Sequence, residues 1–274
     1  MDVAVTVARA RALFGALPRP LGFVPTMGAL HAGHLELVRR ARLQSASVGV
    51  SIFVNPLQFG PGEDLARYPR DADGDFAKLA GAGVEGVFAP QTETLYGSAF
   101  TTSVDVGPLG TAFEGAIRPG HFRGVTTVMT KLLNIVRPDE LFLGQKDAQQ
   151  AVVLRKLVSE LDFPVDVRIV PTVREQDGLA MSSRNAYLDP QQRAQAPTLH
   201  RALQTVLDAL QSGRSKTEAV AAGAAALSPA ATLDYLDVVD ADDFTPLESL
   251  RTPAFVIGAA RFGATRLIDN LWIH

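Results

Sequence analysis

The sequence predicts an α/β protein: a parallel sheet wound with helices over its first two-thirds, followed by a smaller α+β domain. Three observations lead there. Short apolar runs alternate with segments in which apolar residues recur at spacings of three and four, the period of a helix. Several of the apolar runs, Val48–Val54 among them, show no in/out alternation, as expected of strands covered on both faces. The 274 residues exceed one typical domain and fall short of three, so two domains of unequal size are expected.

Taken in order, Leu21–Val24 is the first expected strand and Leu35–Leu43, with helical spacing, the first helix. Strand Val48–Val54 leads to helix Asp73–Leu79, and strand Gly86–Ala89 to helix Val125–Val136. Strand Glu140–Leu143, helix Gln149–Leu161 and strand Asp166–Val170 complete the alternation. Strand and helix in succession give a Rossmann-like parallel sheet with right-handed crossovers, whose ligands sit at the carboxyl ends of the strands. After about Ser183 the pattern changes. Asp189-Pro190 reads as a helix start, Gln191–Gln211 and Lys216–Leu227 as two helices, and Thr232–Val239, Ala254–Arg261 and Thr265–Trp272 as strands. Phe262-Gly263-Ala264 joins the last two as a hairpin turn. The domains are expected to span 1–175 and 176–274, with the boundary inside the stretch 173–190.

Composition narrows the chemistry. With 47% hydrophobic and 20% charged residues the chain is ordinary globular material. It has no cysteine, which removes disulfides, thiolate metal sites and a cysteine nucleophile. A net charge of −3 gives no general field for nucleic acid or anionic lipid, so any phosphate binding must be local. Met1-Asp2-Val3-Ala4 lacks a basic leader region and no apolar stretch of about 18 residues is present, so no membrane association and a cytoplasmic location are expected.

Five segments carry candidate chemistry. The first strand runs into Pro25-Thr26-Met27-Gly28-Ala29-Leu30-His31-Ala32-Gly33-His34. His31 and His34 lie three apart where a helix opens, and a helix N-terminus favours phosphate. Two imidazoles there can donate to phosphoryl oxygens as charge develops. A zinc site would need a third ligand at a recognisable spacing, and none stands there. After the second strand, Asn55 and Gln58 offer uncharged hydrogen-bonding groups for hydroxyls and a carboxylate. Phe113–Val125 gathers Arg118, His121 and Arg123 among glycines and reads as a mobile basic loop able to close over phosphates. Gly144-Gln145-Lys146-Asp147 follows a strand; Gly144 allows close approach, Lys146 supplies a point charge, and Gln150 projects one turn further along the helix. Val173–Asn185 ends in Met181-Ser182-Ser183-Arg184, two hydroxyls and a guanidinium suited to phosphate.

His-Ala-Gly-His after a first strand resembles the signature of the nucleotidyltransferase superfamily, which includes the class I aminoacyl-tRNA synthetases and adenylyltransferases. The longer string Pro25–His34, together with the segments around Asn55, Lys146 and Ser182, is similar to the pantoate–β-alanine ligase family. Ser182–Arg184 looks like that family's version of the Lys-Met-Ser-Lys-Ser loop. Gln145 stands where Glu is common and Ala148 where an aromatic residue is usual, which bears on substrate packing. The closing segment Gly263–Asn270 also matches, without evident chemistry, and is expected to be structural.

The resemblance implies an ATP-dependent ligase that joins (R)-pantoate to β-alanine through a pantoyl adenylate, releasing AMP and pyrophosphate. It implies catalytic roles for His34, His31, Lys146 and Arg184. ATP contacts fall on Met27, Gly28, Ala29, Leu30, His31, Ala32, Gly33 and His34, on Gly144, Gln145, Lys146 and Asp147, and on Val173, Met181, Ser182, Ser183 and Arg184. Substrate contacts fall on Pro25, Met27, Asn55, Gln58 and Gln150. Mg²⁺ is expected to accompany ATP, held mainly by phosphate oxygens with at most one or two carboxylates and no protein metal site. A homodimer and a smaller domain that closes over the site are further implications. An adenylyltransferase that makes a dinucleotide is the rival enzyme, and a silent nucleotide- or tRNA-binding relative the rival from another class.

Overall fold

In the computed structural model, which describes residues 1–274, the alternation begins earlier than expected. β1 (Asp2–Ala4) and α1 (Val7–Gly15) precede β2 (Leu21–Thr26), α2 (Ala32–Gln44) and β3 (Ser47–Ile52). α3 (Ala72–Gly81), β4 (Gly86–Phe88), α4 (Thr92–Leu95), α5 (Glu114–Ile117) and α6 (His121–Val136) follow. β5 (Glu140–Gly144), α7 (Ala148–Glu160) and β6 (Asp166–Val170) end this part. β1 is three residues long, too short to show a period, and the Thr6 side chain caps α1 by accepting from Arg9 N–H.

The chain divides into two compact units, Met1–Gly144 with Val153–Val170 and Gln145–Val152 with Pro171–His274. The first holds a six-stranded parallel sheet in the order β1-β4-β3-β2-β5-β6. One core joins Leu13 and Phe14 of α1, Leu132, Leu133 and Val136 of α6, and Leu154 and Leu157 of α7 to the sheet. The other joins Leu37, Val38 and Ala41 of α2 and Leu79 of α3 to Val24, Val48 and Val50. Both faces are covered, which is why the strands read as unbroken apolar runs. The winding reverses between β2 and β5, whose carboxyl ends are Thr26 and Gly144, and ligands of such sheets bind at this switch point.

The second unit contains α8 (Pro190–Gln195), α9 (Thr198–Gln211), α10 (Lys216–Ala226) and an antiparallel sheet of β7 (Ala231–Asp240), β8 (Ala254–Phe262) and β9 (Thr265–Ile273). The single helix expected over Gln191–Gln211 is broken at Pro197, which has no N–H to continue the ladder. Asp189 caps α8 in a reciprocal box with Gln192. Leu203 and Val206 of α9 pack with Ala219 of α10 on Leu236, Val238 and Val256 of the sheet. The hairpin between β8 and β9 turns at Gly263-Ala264, with Phe262 paired to Thr265.

Candidate active site

β2 delivers its last residue, Thr26, into a fixed position: the hydroxyl donates to Ser51 O at 2.7 Å and accepts from Gly28 N at 3.2 Å. The chain then turns through left-handed conformations at Gly28 (φ 82°) and Ala29 (φ 51°). For Ala29 this costs about 1 kcal/mol or more, and something must hold it there. That something is Asp75 of α3, only 1% exposed, whose carboxylate accepts from Ala29 N at 2.7 Å and Leu30 N at 2.8 Å. Lys78 supports the same turn by donating to Leu30 O at 3.0 Å. Two successive N–H groups form a natural anion receptor, and here the protein fills it with its own carboxylate.

His31 is the N-cap of α2 and His34 its third residue. The Nδ1 of His31 accepts from Gly33 N at 3.1 Å, and the Nδ1 of His34 accepts from His31 N at 3.4 Å, a reciprocal capping box built from two imidazoles. The rings lie side by side, centroids 4.1 Å apart. Backbone N–H groups only donate, so each Nδ1 carries a lone pair and the proton of the neutral ring is on Nε2. The cap turns both Nε2–H donors away from the helix backbone.

The segment after β3 is organised around Asn55. Its Nδ2 donates to Gly124 O (3.1 Å) and to Gln58 Oε1 (3.0 Å), and its Oδ1 accepts from the Tyr96 hydroxyl (2.9 Å) and Leu57 N (3.3 Å). The backbone carbonyl and N–H leave one orientation for this amide. Asn55 is 1% exposed and its amide is engaged by protein on both its oxygen and its nitrogen, which fixes the Gln58 side chain beside it. With Oε1 taken, Gln58 presents Nε2, which reaches the Met27 sulfur at 3.2 Å. Gln58 therefore addresses an acceptor, such as a carboxylate or hydroxyl oxygen. Beneath it α6 comes unusually close: a Cβ on Gly124 would lie 2.2 Å from Leu57 O and 2.6 Å from Gln58 N.

The expected mobile basic loop Phe113–Val125 is instead mostly structured and anchored. α5 occupies Glu114–Ile117 and α6 begins at His121. Arg118 makes a two-pronged pair with Glu63, at 2.6 and 3.0 Å, and also donates to Gln58 O at 3.3 Å. The His121 ring, 7% exposed, donates through Nδ1 to Gln58 O at 2.8 Å and lies with Nε2 3.1 Å from Arg118 Nη1. Burial and the adjacent Arg118 guanidinium push its pKa down to about 4, so it is a neutral ring rather than a third cation. His121 and Arg123 border an open pocket of about 420 Å³, lined also by Phe59, Thr101 and Thr127, and Arg123 is the charged side chain on its wall. The Glu63 partner of Arg118 stands 55 residues earlier in the chain, so no local charge pattern marks it.

In the second unit, Gln145–Asp147 form a single 3-10 turn leading into α7. Lys146 Nζ lies 3.6 Å from Asp147 Oδ1. Val173 and Met181 are joined by a Met181 N to Val173 O bond of 2.9 Å, closing the loop that Arg174 and Ala180 bridge. Ser182 then caps the 3-10 helix Ser183–Tyr187, its Oγ accepting from Arg184 N at 3.3 Å. Lys146 and Ser182 line the same small hollow with His200 and Asp269, so two of the predicted phosphate segments meet within this unit. No group of three His, Asp or Glu residues gathers to hold a metal ion.

The family model described as pantoate-beta-alanine ligase matches residues 2–272. The chain belongs to the pantoate–β-alanine ligase family. Curated relatives bearing the name pantothenate synthetase include one from Thermus thermophilus, 51% identical over 278 residues and covering 100% of each chain, and one from Roseiflexus castenholzii, 49% identical over 98% of each. Among solved structures, a pantothenate synthetase of T. thermophilus superposes with a TM-score of 0.95 at 52% identity, covering 99% of both chains. A pantoate–β-alanine ligase of Francisella tularensis, described as complexed with beta-gamma ATP and beta-alanine, gives 0.82 at 30% identity over 99% of this chain and 97% of that one. In this ligase fold the residues that sequence reasoning missed are supports: Asp75 beneath Ala29 and Leu30, and Tyr96 behind Asn55. No local pattern marks either, because their partners lie more than 40 residues away in the chain.

Proposed function

We propose that this chain, a ligase by family, condenses (R)-pantoate with β-alanine to pantothenate while ATP is cleaved to AMP and pyrophosphate. The family match across residues 2–272 carries this reading. In the first step a pantoate carboxylate oxygen attacks the α-phosphorus of MgATP and pyrophosphate leaves, giving pantoyl adenylate. In the second the β-alanine amine attacks the acyl carbon, loses a proton, and AMP departs. Alignment of reactants and stabilisation of phosphoryl charge supply most of the catalysis.

The Nε2–H groups of His31 and His34 are assigned to α-phosphate or leaving-group oxygens. Lys146, Ser182, Ser183 and Arg184 are assigned to the triphosphate, and backbone around Met27–Gly33, Gly144–Asp147, Val173 and Met181 to the rest of ATP. The Nε2 of Gln58, with Gln150 and with Asn55 beside it, is assigned to pantoate oxygens while Pro25 and Met27 cover its methyl groups. Mg²⁺ enters with ATP as part of the substrate. A homodimer and a cytoplasmic location complete the proposal, and a net charge of −3 gives no general attraction for nucleic acid.

The test is incubation with MgATP, pantoate and β-alanine while AMP, pyrophosphate and pantothenate are followed. Pantoate alone is expected to stimulate pyrophosphate exchange, and AMP release is expected to need the amine; a dinucleotide product instead would turn the reading to an adenylyltransferase. Gly144 offers a sharper check. A Cβ there meets no protein atom within 4 Å, so Gly144→Ala is expected to leave the melting temperature unchanged. Where a triphosphate presses on that backbone, the added methyl raises the KM for ATP by about tenfold, the scale of one lost or crowded contact; an unchanged KM would place ATP elsewhere.

A further inference from the structure

The closing strand β9 carries Asp269-Asn270, a dipeptide with no evident chemistry in sequence. Both residues are buried, Asp269 at 5% and Asn270 at 1% exposure. Asn270 Nδ2 donates to two backbone carbonyls of the β5–α7 turn, Gln145 O at 2.8 Å and Lys146 O at 2.9 Å, and its Oδ1 accepts from Gln145 Nε2 at 3.1 Å. One side chain thus binds two successive carbonyls of the turn that carries Lys146. The two carbonyls only accept, so the amide has a single orientation.

Asp269 does the corresponding work for the other phosphate segment. Its carboxylate takes both prongs of Arg174, at 2.6 and 2.9 Å, and accepts from Asn270 N at 2.7 Å. Arg174 in turn donates to Gly178 O and Asn270 O, both at 3.1 Å, pinning the loop that leads to Ser182. The turn bearing Lys146 and the loop bearing Ser182 are therefore referenced to adjacent residues of one strand.

We propose that Asn270 is a positioning residue for the adenylation step, clamping the Gln145–Lys146 backbone so that the Lys146 ammonium is held in register with the Ser182–Arg184 string fixed through Asp269 and Arg174. This rests on the reading of Lys146 as a phosphate-binding cation. The clamp touches no substrate. Its effect runs through where Lys146 sits, and a displacement of about 1 Å in such a group costs on the order of a hundredfold in rate.

The experiment compares Asn270→Ala in two backgrounds by pantoate-dependent pyrophosphate exchange. In the otherwise unaltered protein, kcat/KM for ATP is expected to fall about 10–100-fold with the KM for pantoate within about twofold. In a Lys146→Ala background the same change is expected to cost less than about threefold, because the group it positions is gone. Equal proportional losses in both backgrounds, or a lowered melting temperature with unchanged kcat/KM for ATP, would overturn the proposal in favour of a purely structural asparagine. Should Asn270→Ala not fold, Asn270→Ser, which keeps a short donor able to reach only one carbonyl, gives the same comparison at smaller amplitude. Failure of the underlying reading looks different, since Lys146→Ala alone would then leave pantoate-dependent exchange and its KM for ATP unchanged.

Discussion

His34→Ala is expected to lower the rate of pantoate-dependent pyrophosphate exchange by about 10²–10³-fold, the usual cost of removing one oriented donor from a developing oxyanion. The substitution removes two things at once. The Nε2–H donor disappears, and so does the Nδ1 acceptor that satisfies His31 N. The second loss is worth about 1 kcal/mol as a helix cap and lowers the melting temperature by a few degrees, about 2–4 °C per kcal/mol in a protein of this size. His34→Gln separates them, because glutamine at the third helical position serves a capping box. It is expected to melt near the unaltered protein while exchange stays slow. If His34→Gln and the unaltered protein exchange at the same rate, the ring has no part in phosphoryl transfer.

Acid is expected to weaken the first unit through a single ring. His121 has an ordinary value of 6.5 in the unfolded chain and about 4 in the folded one. Between those values the unfolded state binds the extra proton, so stability rises with pH across the window, is fully present above about 6.5, and is lost as pH falls toward 4. A difference of that size corresponds to about 3 kcal/mol. Three charged groups face this ring: Arg118, which opposes its protonation, and Glu63 and Glu114, which favour it less strongly than burial disfavours it. Burial raises the Glu63 carboxyl but Arg118 more than offsets this, leaving it below its usual range, so its own contribution is lost at lower pH still. Denaturant melts from pH 7 to pH 5 check the point. His121→Gln, whose amide can still donate to Gln58 O, is expected to flatten the slope, and parallel slopes in the two proteins would assign the acid sensitivity to another group.

Much of the fold was legible because its signals are local. Apolar runs without alternation marked β2, β3 and β5, and glycine with histidine or lysine just after a strand marked the turns at Gly28–His34 and Gly144–Lys146. What escaped is what depends on distant partners. Asp75 reaches Ala29 across 46 residues, Tyr96 reaches Asn55 across 41, and Asn270 reaches Lys146 across 124. The anchoring of the basic segment around Arg118 escaped for the same reason, since its counter-charge, Glu63, stands 55 residues earlier. A guanidinium counted alone reads as mobile and solvated. Paired with a half-buried carboxylate, it becomes part of the floor under Gln58.

Gly124 shows where that floor draws its precision. A glycine in the first turns of α6 gives up about 1 kcal/mol of helix propensity relative to alanine, yet alanine would set a methyl carbon 2.2 Å from Leu57 O. The position therefore trades helix strength for contact between two backbones, and main chain offers no rotamer with which to yield. Along this stretch of helix the sequence is as intolerant as at any reacting group, although Gly124 has no side chain to react. On the proposed assignment of the acid substrate to Met27, Gln58 and Gln150, variants selected for altered acid substrates are expected among those side chains, with residue 124 left as the fixed reference from which their reach is measured.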